Sequence, residues 1–226
     1  MMNKKNFTSL IFLAGGKGLR IGGETPKQFR PLLKKPLALY SLEIFAALLE
    51  IDEIIVVCEL QFRSLFASIQ KPLYFVLPGN RRQDSVYRGL MASSDQSDLI
   101  CVHDSARPFV EKDSIIHLLQ EARRRGAAAL AIPTSNTIKQ TDPNQCVRRT
   151  LPREELWELQ TPQAIERSLF IKAYIYAHAH EIEATDDLSL IEAMGEKTYL
   201  VKGSPRNFKI TTPFDWVIAE KLCASN

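Results

Sequence analysis

Glycines and cations crowd the stretch LAGGKGLRIGGETPKQ, residues 13–28, where Gly15, Gly16 and Gly18 stand among Lys17, Arg20 and Lys27. Glycine lets a backbone turn tightly and bring its N–H groups against a ligand, and the cations favour an anion there. Such a loop, entered through Ala14, is suited to cradling phosphates. Two familiar glycine signatures do not fit it. A dinucleotide fingerprint needs a third glycine where Ile21 stands and an acid about 20 residues on at a strand end, but the next strand ends near Glu59. A P-loop needs Ser or Thr after its Gly-Lys pair, and Gly16-Lys17 is followed by Gly18.

Other polar residues gain meaning beside a phosphate loop. In HDSARP, residues 103–108, Asp104 ends an apolar run; its carboxylate is a hard-oxygen ligand suited to Mg²⁺, and Arg107 can pair with a phosphate. PGNRRQDSVYRGL, residues 78–90, reads as a turn entering a helix whose first N–H groups face an anion or a base edge, with Ser85 on its first turns. QTPQ, residues 160–163, reads as a polar turn offering Thr161 to a phosphate. Lys209 is expected on a short strand before a helix that Thr212 caps, with Pro213 first and Asp215 in the first turn. Asp186 and Asp187, in TDDLSLIEAMG, are helix caps before they are metal ligands.

The elements that must position these residues follow from hydrophobic patterning. Apolar runs at 10–13, 54–58, 73–77, 99–102 and 127–132 predict strands, and stripes at 37–49 and 167–180 predict helices between them. That alternation implies a Rossmann-like α/β fold with a mostly parallel sheet and helices on both faces. Ligands of such sheets bind beyond the carboxyl ends of the strands, where the glycine loop and Asp104 fall. Residues 134–158 break the pattern: two strand-like limbs flank a turn at 142–144, and Arg153 lies on the returning limb. Two strands alone are marginally stable, so this arm is expected to reach towards a partner subunit.

Length and composition fit one domain spanning residues 1–226, since 226 residues at 45% hydrophobic and 24% charged exclude a disordered or collagen-like chain. No apolar run approaches a membrane span, and a net charge of +3 demands neither a membrane nor a nucleic-acid partner. The basic run at 123–125 precedes Gly126 and reads as a helix's last turn. Cys58, Cys101, Cys146 and Cys223 show no CxxC pairing and suit a reducing compartment. The apolar start leads directly into the glycine loop, which favours a first strand over a signal peptide and a cytoplasmic enzyme.

LAGGKGLR, PKQF, VHDSARP, NTIK, LWELQTPQ, ATDDLSLIE and NFKITTP occur in that order across nearly the whole chain. In this the sequence resembles the 2-C-methyl-D-erythritol 4-phosphate cytidylyltransferase family of the sugar-nucleotidyltransferase superfamily. The resemblance implies CTP and methylerythritol phosphate as substrates, Mg²⁺ as cofactor, and a homodimer with a protruding β-arm. It implies that Arg20 and Lys27 stabilise a pentacoordinate phosphorus and that Arg153 and Lys209 position the acceptor. It further implies that Asp104, Arg107, Thr137, Thr161 and Thr185 surround the sugar phosphate and metal, and that Gly79 and Ser85 belong to the cytidine site. Two residues depart from the family pattern: Pro78 replaces a glycine before the cytidine helix, and Arg206 stands where an acid is common. Ribitol 5-phosphate cytidylyltransferase shares the loop, PKQF and QTPQ, so the acceptor pocket must separate the two readings; a non-catalytic nucleotide-binding module is the alternative of another class.

Overall fold

The computed structural model describes residues 6–16 and 25–224. In chain order they form β1 (Thr8–Leu13), β2 (Pro31–Leu32), β3 (Lys35–Pro36), α1 (Leu37–Ala47), β4 (Glu53–Val57), β5 (Leu73–Val76), α2 (Arg82–Ala92), β6 (Leu99–Asp104), α3 (Lys112–Arg125) and β7 (Ala127–Pro133). There follow β8 (Lys139–Thr141), β9 (Val147–Thr150), β10 (Trp157–Glu166), α4 (Arg167–Ala179), α5 (Leu188–Ala193), β11 (Tyr199–Lys202) and α6 (Pro213–Ala224). Seven strands make one sheet in the order β11-β7-β10-β6-β1-β4-β5. Every neighbouring pair in it is parallel except those of β10, which runs antiparallel to both β6 and β7.

The apolar runs dictate this arrangement. EIIVV of β4 and LICVHD of β6 are buried residue by residue, as strands covered on both faces must be. Side chains alternate between two cores. Leu10, Phe12, Ile54 and Val56 pack with Leu42 and Phe45 of α1 and Ile115 and Leu118 of α3. Ile11, Val57, Ile100 and Val102 face the other side, against Val86 and Leu90 of α2, Phe170 and Ala173 of α4, and Leu190 and Ile191 of α5. Burial of each such side chain contributes about 1.5–3 kcal/mol, so the central strands are the rigid part on which the strand-end residues stand.

Several expectations are corrected. QTPQ is part of β10, not a turn, because tertiary pairing outweighs its polar, turn-like composition. The β6–β10 ladder runs from Glu166 opposite Leu99 to Gln163 opposite Val102 and then stops, next to Pro162, which has no N–H to donate. Lys209 lies in irregular chain rather than on a strand; the last strand is Tyr199–Lys202, further back. Asp186 does cap, accepting the Ser189 N–H at 3.1 Å, whereas the Asp187 carboxylate makes no cap bond. Thr212 and Asp215 cap α6 reciprocally: Oγ1 of Thr212 accepts the Asp215 N–H at 3.2 Å, and the Asp215 carboxylate accepts the Thr212 N–H at 2.7 Å.

β8 and β9 pair antiparallel as a two-stranded hairpin, exposed along both strands. Oδ1 of Asp142 holds its turn by accepting the N–H groups of Asn144 and Cys146, each at 2.9 Å. Among the described residues no helix is long and apolar enough to cross a membrane.

Candidate functional site

Two clefts open at the carboxyl ends of β1 and β6. The larger, about 580 Å³, is bordered by Gly15, Gly16, Lys27, Gly79 and Ser85; the smaller, about 240 Å³, by Arg107, Thr161, Thr185 and Asp186. Arg82, Asp104 and Lys209 border both. Many of the sequence's candidate residues thus lie along one cleft or the other, and the two clefts meet at three charged groups.

Along the larger cleft, Ala14 is buried and continues from β1, its N–H donating to the Val57 carbonyl at 2.9 Å. Gly15 follows against Pro78, and a Cβ on Gly15 would come within 2.4 Å of the Pro78 Cβ. Pro78 therefore fits this site as a wall that only glycine can face, and Arg88 fixes it by donating from Nη1 to the Pro78 carbonyl at 2.8 Å. Gln28, buried beneath the loop, donates from Nε2 to the carbonyls of Ala14 at 2.8 Å and Gly16 at 2.6 Å. Those two bonds fix the described start of the loop from beneath. Lys27 is buried on the cleft wall and donates from Nζ to the Ile210 carbonyl. Lys17, Gly18 and Arg20 lie outside the described residues. Across the cleft, the Gly79 N–H donates to Ser85 Oγ at 2.9 Å, and a Cβ on Gly79 would come within 2.4 Å of the Asp84 Cβ. Gly79 and Ser85 are thereby one unit at the start of α2.

At the junction, Asp104 Oδ2 accepts from Lys209 Nζ at 2.6 Å and Oδ1 from Arg82 Nε at 3.4 Å. Arg82 is held from behind by Asp187, with Nη1 and Nη2 donating to its two carboxylate oxygens at 3.0 and 2.8 Å. Burial alone would raise the Asp104 carboxyl, but Arg82, Lys209 and Arg107 overcome it and hold Asp104 well below the usual carboxylate range. Burial likewise works against the Arg82 charge, and Asp187 and Asp104 more than offset it. Lys209 owes its place to the chain beside it: the Ile210 N–H donates to the Ala106 carbonyl at 2.9 Å, and Asn207 Nδ2 donates to the Thr161 carbonyl at 2.9 Å.

Along the smaller cleft, Arg107 donates from Nη1 to the Asn207 carbonyl at 2.8 Å, while its buried Nε has no hydrogen-bond partner. Burial pushes the Arg107 guanidinium down from its ordinary value. A partly unpaired cation in a cleft with Lys209 and Arg82 suits an anionic ligand. Thr161 differs from expectation. Its hydroxyl is buried, within 3.2 Å of His103 Nδ1, and accepts the Asp104 N–H at 3.0 Å, so it is committed to the protein rather than open to a phosphate. Thr185 is exposed on the rim. Thr137 and Arg153 are exposed and border neither cleft of their own chain. Arg206 is also outside both; it lines a depression of about 880 Å³ with Lys35, Tyr40 and Cys223.

Sequence reasoning passed over Arg82, Gln28, His103 and Asn207. Arg82 carried one usable signal, since it opens the helix whose N-terminus was assigned to the nucleotide. For a metal, no cluster of three or more His, Cys, Asp or Glu side chains occurs among the described residues. The donor set at the junction is one ionised carboxylate, Asp104, beside cations that suit phosphate. This fits Mg²⁺, which binds through one or two carboxylates and the oxygens of a substrate's phosphates rather than in an all-protein cage.

The family profile described as IspD, 2-C-methyl-D-erythritol 4-phosphate cytidylyltransferase, matches residues 8–225. The chloroplastic 2-C-methyl-D-erythritol 4-phosphate cytidylyltransferase of Oryza sativa subsp. japonica is 43% identical over 223 residues, 97% of this chain and 75% of that protein. The Chlamydia pneumoniae protein of the same name is 40% identical over 215 residues, 95% of this chain and 98% of its own. Among solved structures, 4-diphosphocytidyl-2C-methyl-D-erythritol synthase from Anaerococcus prevotii superimposes with a TM-score of 0.86 at 29% identity, covering 97% of this chain and 99% of that one. The 2-C-methyl-D-erythritol 4-phosphate cytidylyltransferase of Thermus thermophilus does so with a TM-score of 0.77 at 32% identity over the same shares. With that profile spanning nearly all of it and such relatives sharing 40–43% of its residues, the chain belongs to the 2-C-methyl-D-erythritol 4-phosphate cytidylyltransferase family.

Proposed function

We propose that this enzyme transfers CMP from CTP to 2-C-methyl-D-erythritol 4-phosphate, giving 4-diphosphocytidyl-2-C-methyl-D-erythritol and pyrophosphate. The observation that carries the reading is the pair of clefts sharing Arg82, Asp104 and Lys209. A triphosphate lying on the glycine loop in the larger cleft brings its α-phosphorus to that boundary, and an anionic acceptor in the smaller cleft reaches the same boundary from the other side.

The chemistry needs little of the protein beyond placement and charge. An acceptor phosphate oxygen attacks the α-phosphorus in line, the bond to the β-phosphate oxygen breaks, and pyrophosphate leaves; no side-chain nucleophile takes part. Lys27 and Arg20 neutralise the charge that grows on the pentacoordinate phosphorus. Arg107 and Lys209 hold the acceptor phosphate, and Lys209, tied to Asp104, sets the direction of attack. Asp104 is the residue that would hold Mg²⁺, which would supply charge neutralisation to the triphosphate.

Arg153 and Thr137 enter this reading through a homodimer in which the 134–158 arm of one subunit completes the acceptor cleft of its partner. The exposure of both residues, away from their own chain's clefts, supports it. Cytoplasmic location belongs to the same reading, supported by the free, buried thiols of Cys58 and Cys101.

Pyrophosphate release tests the function. The enzyme is incubated with CTP and Mg²⁺, and with methylerythritol phosphate, ribitol 5-phosphate or no acceptor. Release with methylerythritol phosphate and not with ribitol 5-phosphate is expected. Preference for ribitol 5-phosphate would transfer the enzyme to that acceptor, and CTP binding without release in any arm would leave a nucleotide-binding module.

A further inference from the structure

His103 is buried under the junction of the two clefts, though it touches neither. Its ring packs between Phe12 of β1 and Phe45 of α1, with centroid separations of 6.1 and 4.9 Å. Nε2 lies 3.1 Å from the Arg107 carbonyl oxygen, and Nδ1 lies 3.2 Å from Thr161 Oγ1. A carbonyl can only accept, so Nε2 carries the proton and donates to Arg107. In the neutral ring Nδ1 is then the acceptor, and the Thr161 hydroxyl donates to it. That leaves the Thr161 oxygen to accept the Asp104 N–H, which it does at 3.0 Å.

The chain of bonds falls where the sheet opens. The β6–β10 ladder ends at Gln163 opposite Val102; one register step on, Pro162 has no N–H, and the next main-chain donor on β6 is that of Asp104. Thr161's side chain takes that donor in place of a ladder carbonyl. Both ends of the chain are residues of the site: Asp104 at the shared boundary and Arg107 on the acceptor wall.

We propose that His103 is a positioning residue for the acceptor cleft: its Nε2–H tautomer directs the Thr161 hydroxyl, and through it fixes the turn from Asp104 to Arg107. The inference rests on the proposed function for its kinetic consequences and on geometry alone for its tautomer. The relay makes Thr161 a link to the main chain rather than a contact to phosphate. It also leaves the nucleotide side to other supports, namely Gln28, Pro78 and Ser85.

Two measurements on the full-length enzyme test it. In the first, long-range ¹H–¹⁵N NMR of the imidazole should find His103 protonated at Nε2 and bare at Nδ1, and Thr161→Val should shift the Nδ1 resonance as its hydrogen bond is lost. Protonation at Nδ1 would overturn the relay whatever the enzyme's substrate proves to be. In the second, steady-state kinetics compare His103→Phe, Thr161→Val, their double variant and Thr161→Ser, with thermal melting of each. Loss of one such bond should raise KM for the acceptor about tenfold while KM for CTP moves far less. The double variant should be no worse than the worse single one, since either change breaks the same chain, and Thr161→Ser should restore most of what Thr161→Val loses. Multiplying effects in the double variant, or equal changes in both KM values, would overturn the proposal. Should the wild type turn over no acceptor, the proposed function fails, and the NMR result decides the relay alone.

Discussion

Lys209 Nζ stands 2.6 Å from Asp104 Oδ2, and the pair borders both clefts. The two residues are 105 positions apart in sequence. Their meeting depends on two tethers: Thr161 Oγ1 accepting from the Asp104 N–H, and Ala106 O accepting from the Ile210 N–H. With Arg82, Lys209 holds Asp104 as a carboxylate, and the pair lies where a substrate phosphate or its metal would meet it.

Asp104→Asn keeps the side chain's shape and removes its charge. We expect kcat/KM to fall about 100-fold or more, with a higher Mg²⁺ concentration needed for half-maximal rate, because the charge that orders Lys209, Arg82 and the metal is gone. Titrating Mg²⁺ with both enzymes checks this. Full activity of the variant at low Mg²⁺ would leave Asp104 a turn former.

Lys27→Ala and Arg20→Ala, made singly, should each lower kcat by about 100-fold with little change in KM for the acceptor, since their charge matters most as negative charge grows at the transition state. Steady-state kinetics with both substrates varied makes the comparison. A change confined to KM for CTP would assign these residues to ground-state binding.

Arg82 and Asp187 are predicted to matter to stability as well as activity. Asp187 is buried and its bidentate pair with Arg82 is the larger part of what compensates that guanidinium. Removing one partner of a fully buried pair costs about 3–5 kcal/mol; Arg82 keeps some solvent contact, so we expect roughly 2–3 kcal/mol for Asp187→Ala, or roughly 5–10 °C in Tm. Calorimetric melting measures it. An unchanged Tm would mean the pair contributes little to the fold.

These residues also mark what the sequence could and could not disclose. The parallel strands were legible because burial on both faces leaves uninterrupted apolar runs such as EIIVV, and Gly15 stands where close approach to Pro78 needs that residue type. The Arg82–Asp187 pair was not, because its partners are 105 residues apart and each looks locally like a helix-start residue. QTPQ was misread for a related reason: its strand state comes from β6 and β7 on either side, not from its own composition. Lys209 was expected on a strand and lies in irregular chain, since the stretch that carries it is fixed by the Ala106 and Thr161 carbonyls rather than by strand pairing.

Arg153 should act in trans. Lys27→Ala and Arg153→Ala chains, each nearly inactive, are mixed, unfolded and refolded together. Each heterodimer then has one site with both residues intact and one with neither, so roughly a quarter of all sites regain wild-type composition under random pairing and two-fold symmetry. Activity should rise to that level. No rescue, with heterodimers demonstrated by native mass spectrometry, would return Arg153 to its own chain.

The central claim is that an acceptor oxygen attacks the α-phosphorus of CTP where two adjoining clefts meet, and the origin of one oxygen atom tests it most closely. Methylerythritol phosphate carrying ¹⁸O in its phosphate is converted with unlabelled CTP, and the product's ³¹P NMR spectrum is read for isotope shifts. Direct attack predicts ¹⁸O in the bridge between the two phosphorus atoms, shifting the CMP-derived phosphorus as well as the acceptor's. An unshifted CMP-derived phosphorus, meaning a bridging oxygen that came from CTP, would contradict attack by the acceptor and with it the account of Asp104 and Lys209 as its guides.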